Sequence, residues 1–192
     1  MKSFIKSYFD NKDLEGLKKT ITPNWNSTEG HLKYLNLEKG DKVLELGCGL
    51  CRLLKPLIEN KIYDYAIGID ASEGMINEAK KLNLKNITPL LCDGEGLIPL
   101  GEEYNNSFDT VFSIITFQHI PSTDTVKTYL KEAYRLLKEG GNIVFQVLSN
   151  DEGKGDLWTY HDLDELLSFL ESLNLKVRRE IGDRWTIFSC IK

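Results

Sequence analysis

Positive charge is not in excess in this chain: across 192 residues, 24 Lys and Arg stand against 29 Asp and Glu, a formal net charge of −5. That balance lacks the basic footprint with which proteins grip phosphate backbones, so a nucleic-acid partner is not expected. Long apolar runs are also missing. None reaches the ~18 residues that a membrane helix needs, and no membrane partner is expected. The first ten residues hold no apolar core of a secretion signal, which points to the cytoplasm. Cysteine is scarce at 4 residues, and in an ordinary-sized domain without a secretion signal such thiols read as reduced. Histidine is scarcer still, at 3. A chain that is 41% hydrophobic and 28% charged buries roughly 70% of its extended surface at this length, enough for a core without staples.

No low-complexity stretch and no fixed-period repeat is present, but short apolar runs alternate with amphipathic segments. Strands are expected at 43–46, 65–69, 87–92, 108–115 and 142–148. Helices are expected at 52–60, 73–82, 123–138 and 162–172, with Ser72 as the N-cap of the second. Gly140-Gly141 reads as a helix C-cap. Residues 93–107 and 150–155 are polar or glycine-rich loops. Two terminal strands, 176–181 and 185–191, are joined by Gly182-Asp183 as a hairpin. Strands alternating with helices imply a parallel sheet covered on both faces, and the hairpin adds one reversed strand. Residues 1–40 contain no strand and read as helical pieces capping a domain of residues 41–192.

Ligands of open α/β sheets bind beyond the carboxyl ends of the strands. After the first strand, Glu45-Leu46-Gly47-Cys48-Gly49 allows a sharp turn and close backbone approach to a ligand, although Gly-x-Gly alone is a common turn. Glu45 adds weight, because an acid inside an apolar strand is costly to bury without a partner. Asp70 ends the second strand, 21 residues after Gly49, where a carboxylate can accept two ribose hydroxyls. Asp93-Gly94 ends the third and can meet an adenine edge. Together these strand ends describe a pocket for an adenosine-containing ligand. His119 lies beyond the fourth strand, with Tyr160 and His161 behind it, and is the candidate general base. Cys48 and Cys51 have no second ligand pair at zinc spacing, so no metal site is expected.

In this order, the motifs resemble those of the class I S-adenosylmethionine-dependent methyltransferases. The segments Val43–Gly49, Gly68–Met75, Cys92–Glu95, Phe108–Ser113 with Gln118–Pro121, and Leu136–Asn142 are similar to the family's successive motifs across about residues 25–192. The resemblance implies a Rossmann-like seven-stranded, mostly parallel sheet with helices on both faces and a reversed terminal strand. It implies S-adenosylmethionine as cofactor, with S-adenosylhomocysteine as product. Glu45, Gly47, Cys48 and Gly49 would surround its amino-acid end, Asp70 and Ala71 the ribose, and Met75, Asp93, Gly94 and Glu95 the adenine. Ile115 and Thr116 would complete the floor. One departure is Cys51, which stands where the family has its third motif glycine.

The expected reaction is in-line methyl transfer to a small-molecule acceptor, in which the protein mainly aligns two reactants. Tyr8, Trp25, Gln118, Trp158 and Tyr160 are the candidate acceptor residues, the first two on the cap. Lys176, Arg178, Arg179 and Arg184 read as a solvated face of the hairpin, with docking of an anionic acceptor as the alternative. Two other functions fit part of the pattern. A nicotinamide-dependent oxidoreductase shares Gly-x-Gly followed by Asp, but Arg52 occupies its third glycine position. A non-catalytic cofactor-binding protein would keep the same pocket without turnover.

Overall fold

The computed structural model describes residues 10, 15, 16, 39–150 and 158–192. Its sheet is built from β1 (Gly40–Leu46), β2 (Tyr63–Asp70), β3 (Ile87–Leu91), β4 (Phe108–Ser113), β5 (Leu137–Leu148), β6 (Lys176–Ile181) and β7 (Trp185–Ile191). The strand order is β3-β2-β1-β4-β5-β7-β6. The first five strands pair in parallel, and β7 runs antiparallel to both β5 and β6. Among the described residues, the faces are covered by the helices α1 (Leu54–Glu59), α2 (Glu73–Lys81), α3 (Thr123–Leu136) and α4 (Leu163–Ser172).

Strand alternation divides the core in two. Val43, Phe112 and Val144 pack under Leu54 and Leu57 of α1 and Ile76 and Ala79 of α2. Leu44, Leu46, Val111 and Phe145 pack under Val126, Leu130 and Ala133 of α3 and Leu166 and Leu170 of α4. Burial on both faces is why β1 and β2 read as nearly continuous apolar runs. On the α3 side, Phe145 stacks on Phe188 at 4.9 Å and tilts against Phe117 at 5.5 Å. Ser72 caps α2 by accepting from the Met75 amide, and Asp162 caps α4 by accepting from the Asp164 and Glu165 amides.

Several boundaries differ from the sequence expectation. Helix α1 begins only at Leu54, leaving Arg52 in the preceding turn, because Pro56 is tolerated only near a helix start. Helix α3 stops at Leu136, and Gly140-Gly141 lies inside β5 instead of capping the helix. The register jumps there, from Phe108 opposite Leu137 to Thr110 opposite Asn142. Gly140 donates to the Lys192 carbonyl and Lys192 to that of Gly141, so the irregular stretch is tied to the end of β7. The hairpin turn is centred one residue later than expected. Gly182 donates to the Trp185 carbonyl at 2.9 Å, placing Asp183 and Arg184 at the tip. Of the expected cap, Asp10, Glu15, Gly16, Lys39 and Gly40 are among the described residues, and Gly40 already belongs to β1, one residue before the expected domain start; Tyr8 and Trp25 lie outside the described residues.

At the end of the sheet away from the nominated loops, Asp109 accepts from the Asp41 and Lys42 amides and pairs with Lys138, all at 2.8 Å. Partial burial alone would raise the Asp109 pKa, but the Lys138 ammonium and the two amides outweigh it and hold the carboxyl below its ordinary value. Asp109→Ala should therefore cost about 1–3 kcal/mol of unfolding free energy at neutral pH. The folded state binds this proton more weakly than the unfolded chain. The increment should thus be complete above the ordinary Asp pKa of ~3.9 and vanish as pH falls through the depressed value. Urea unfolding of both proteins from pH 7 down to the acid limit measures this, and a pH-independent difference would contradict it.

Candidate functional site

Strand order reverses beside β1: β2 and β3 lie on one flank, β4 and β5 on the other. The loops leaving β1 and β4 therefore diverge from a shared crevice, the usual ligand site of such sheets. They pass very close to one another. A Cβ on Gly47 would stand 2.2 Å from Thr116 Cγ2, and Gly47 takes a left-handed φ of +77°. Both constraints demand glycine. The amides of Gly47 and Cys48 donate to the Ile69 carbonyl at 2.8 and 2.9 Å, while Ser113 Oγ donates to the Leu46 carbonyl at 3.0 Å.

Asp70 collects the next contacts. Gly49 donates to its Oδ2 at 2.9 Å and Ser72 to its Oδ1 at 2.8 Å. Burial raises its pKa, the Ser72 and Gly49 amides offset part of that, and the charge of Asp10 adds to the rise. The Ala71 amide also acts on this carboxylate, which keeps acceptor capacity for a ligand hydroxyl. The Met75 sulfur lies 3.8 Å from where a Cβ of Gly49 would be, placing the buried thioether beneath the same loop. Beyond β3, Asp93 Oδ1 accepts from the Glu95 amide at 2.8 Å, and both side chains are exposed. A Cβ on Gly94 would meet Ala71 Cβ at 3.1 Å, so this loop rests on the one after β2.

The β4 loop carries the most strain. Ile115 sits at φ +63°, a genuine outlier for a β-branched residue. Its amide donates to Gln146 Oε1 at 3.2 Å, so a buried amide on β5 holds the turn. A 3₁₀ turn, Phe117–His119, follows. His119 is half-buried there, its Nε2 3.4 Å from Gln118 Nε2. His161 has a different role from the one expected. It is buried, its Nδ1 3.0 Å from Thr123 Oγ1 and its Nε2 3.0 Å from the Phe117 carbonyl, and burial lowers its pKa. Both ring nitrogens are taken, so His161 props up the turn and is not free to back up His119. Tyr160 is half-buried and packs against the core on the α3 and α4 side. Trp158 packs beside Trp185 at 5.6 Å.

Among the described residues, three buried polar atoms have no hydrogen-bond partner: Glu45 Oε2, Arg52 Nη1 and Gln118 Oε1. Glu45 is 2% exposed, and burial pushes its pKa well up while Arg52 draws it down. An unfilled carboxylate and an unfilled guanidinium at the mouth of β1 fit a zwitterionic amino-acid group, one partner for its ammonium and one for its carboxylate. Cys51 takes φ +58° and is fully buried, so the side chain replacing the family glycine sits in a glycine-like backbone conformation. Among the described residues, no three His, Cys, Asp or Glu side chains gather as a metal site.

Residues 43–141 match the family model described as a methyltransferase domain. The chain belongs to this family. It is 28% identical over 138 residues to an uncharacterized protein of Methanocaldococcus jannaschii, covering 72% of this chain and 58% of that one. It is 30% identical over 108 residues to a malonyl-[acyl-carrier protein] O-methyltransferase of Priestia megaterium, covering 56% and 37%. The chain thus spans only part of the length of these curated relatives. A solved S-adenosylmethionine-dependent methyltransferase from Aquifex aeolicus superposes with a TM-score of 0.68 at 25% identity, covering 94% of this chain and 98% of that one. The seven-stranded sheet with its reversed β7 is the methyltransferase fold, and S-adenosylmethionine is the cofactor of such domains.

Three residues escaped the sequence reading. Gln146 interrupts an apolar strand as Glu45 does, and the same cost argument finds it. Arg52 counted only as a misfit to another fingerprint. Asp10, which accepts from Ser72 Oγ at 2.7 Å and from the Gly74 amide at 3.3 Å, carries no motif signal.

Gly47→Ala tests the crevice. The added methyl must displace Thr116 and strain φ, so unfolding free energy should fall by about 1–3 kcal/mol. S-adenosylmethionine affinity, measured by calorimetry at a temperature where the variant is folded, should fall at least tenfold. Unchanged affinity would remove this loop from the site.

Proposed function

We propose that this chain transfers a methyl group from S-adenosylmethionine to a small-molecule acceptor. The observation that carries the reading is the run of complementary groups at three neighbouring strand ends: unfilled Glu45 and Arg52 at β1, Asp70 at β2, and Asp93-Gly94 at β3. When bound, the cofactor supplies a methyl group already activated on a sulfonium, so no further activation is asked of the protein.

The residues then divide the work. Glu45 and Arg52 would hold the amino-acid end, Asp70 the ribose hydroxyls, and Asp93 with the Gly94 amide the adenine edge. Gly47 and Thr116 keep the crevice narrow. Alignment of this kind supplies ~7–11 kcal/mol of barrier reduction. His119, half-buried in the 3₁₀ turn after β4, would take a proton from a protonated nucleophile. Gln118, with its unfilled Oε1, would orient that nucleophile. Relatives are named for malonyl-[acyl-carrier protein], demethylmenaquinone and phosphoethanolamine. Family membership therefore leaves the acceptor open, while it sets the nicotinamide reading aside.

Calorimetric titration with S-adenosylmethionine and with NAD tests the pocket. Binding of the former alone, lost in Asp70→Ala, is expected. NAD binding in its place would overturn the reading. Methyl transfer from labelled cofactor to a pooled set of small acceptors tests turnover, and binding without transfer would favour a cofactor-binding protein. With an acceptor in hand, His119→Ala should lower kcat by about 10²–10⁴-fold if His119 is the base. A loss under about threefold would remove that role.

A further inference from the structure

Of the basic residues read as one face of the terminal hairpin, Arg178 pairs with Ser189 in mid-strand, and only Arg184 stands at the carboxyl end of the sheet. Lys176 pairs with Ile191 at the opposite end of β6, and Arg179 is bound to Asp164 at 2.7 Å. Arg184, at the hairpin tip, lies next to Trp185, which pairs with Leu148 at the end of β5. Its guanidinium carbon sits 4.1 Å from the Trp158 ring centre and 5.0 Å from that of Trp185. Among the described residues this guanidinium makes no ion pair and no side-chain hydrogen bond, whereas Arg135 is bound to Glu132, Asn105 and two carbonyls. Stacking on indoles fixes a guanidinium's plane while leaving its N–H edge free to donate, the geometry suited to a two-oxygen anion.

The position of this cation relative to the crevice follows from contacts. Thr116 Oγ1 donates to the Gly47 carbonyl at 3.4 Å, and two residues later the Gln118 carbonyl accepts from the Thr159 amide at 2.6 Å. Trp158 is the neighbour of Thr159, and Arg184 rests on Trp158. The cation therefore stands beyond β5, on the flank of β1 opposite the one that carries Asp70 and Asp93.

We infer that Arg184, framed by Trp158 and Trp185, is the binding site for a carboxylate or phosphate group carried by the methyl acceptor; the assignment of that anion to an acceptor rests on the methyl-transfer reading above. A single framed cation, with Asp183 exposed beside it, suits one anionic group and not a polyanionic surface. The turn whose Gln118 carbonyl meets Thr159 also carries the buried Gln118 Oε1, which has no hydrogen-bond partner among the described residues. An acceptor anchored at Arg184 and reaching this turn would offer that oxygen an N–H or O–H.

The test uses the full chain, isotopically labelled, titrated with inorganic phosphate and separately with acetate, against sodium chloride at matched ionic strength. The indole N–H signals of Trp158 and Trp185 should shift saturably with one or both oxyanions, with a midpoint on the order of 1–10 mM. The shifts should weaken at least tenfold in R184Q and several-fold in R184K, which keeps the charge but loses the fork. Phosphate against acetate tells which anion class the site prefers. Shifts reproduced by chloride, unchanged in R184Q, or absent in the wild type would overturn the site. S-adenosylmethionine added to the same samples reads the Gly47, Gly49 and Asp70 amides independently. Silence there with a sound phosphate response would sink the methyl-transfer reading while leaving the anion site standing.

Discussion

The loops leaving β1 and β4 approach until no side chain fits between Gly47 and Thr116, and much of the crevice is arranged to permit that contact. Gly47 must turn left-handed to clear Thr116, and its amide reaches back to Ile69. On the other side the chain can deliver Thr116 only by passing Ile115 through a conformation that costs of order 1–3 kcal/mol. Gln146 holds that strained amide from β5, so a buried polar side chain in one strand keeps the neighbouring loop in place. The crossing is a property of topology, since only at β1 do successive crossovers leave in opposite directions.

A second cost sits beside the first. Glu45 is buried within an apolar strand with one oxygen unfilled, and Arg52 has an unfilled donor in the turn that follows. A core selected for stability alone would not keep them, because unsatisfied buried polar atoms cost about 1–3 kcal/mol each. On the proposed reading, a ligand bearing both an ammonium and a carboxylate would satisfy both at once, and part of its binding energy would come from relieving the protein. Cys51 belongs to the same economy of space. Its thiol fills a fully buried volume while its backbone accepts the left-handed turn a glycine would take freely.

The fold was legible because burial on both faces writes itself into sequence as apolar runs, as in Val43–Leu46 and Ile143–Leu148. Caps were legible where a short polar side chain precedes an amphipathic run, as at Ser72. Gly140-Gly141 misled because a glycine pair serves a register break in a strand as readily as a helix end; only the pairing partner decides, and Lys192 is far away in sequence. The candidate cofactor residues could be named from sequence because they sit at strand ends in fixed order. Trp158 and Arg184 were each named there as acceptor-side candidates, but their meeting was not legible, because a hairpin tip and a loop come together in a way no local spacing encodes. His161 looks like chemistry in sequence but proves to be a post beneath the Phe117 turn.

Charge is distributed unequally across β1, and the inequality has a chemical direction. The β2–β3 side gathers Asp10, Asp70 and Asp93, and Glu45 is buried in β1 near the Arg52 guanidinium. This excess of acids over Arg52 favours a net cationic ligand over an anionic one. On the proposed reading, an anionic acceptor would be turned away from the cofactor half and toward the β5–β7 side, where Arg184 makes no ion pair among the described residues. Orientation then requires no tight enclosure, because the field does part of it before contact. For methyl transfer, where alignment supplies most of the catalysis, a site that opposes the charges of its two reactants across a narrow gap has already set the direction in which they meet.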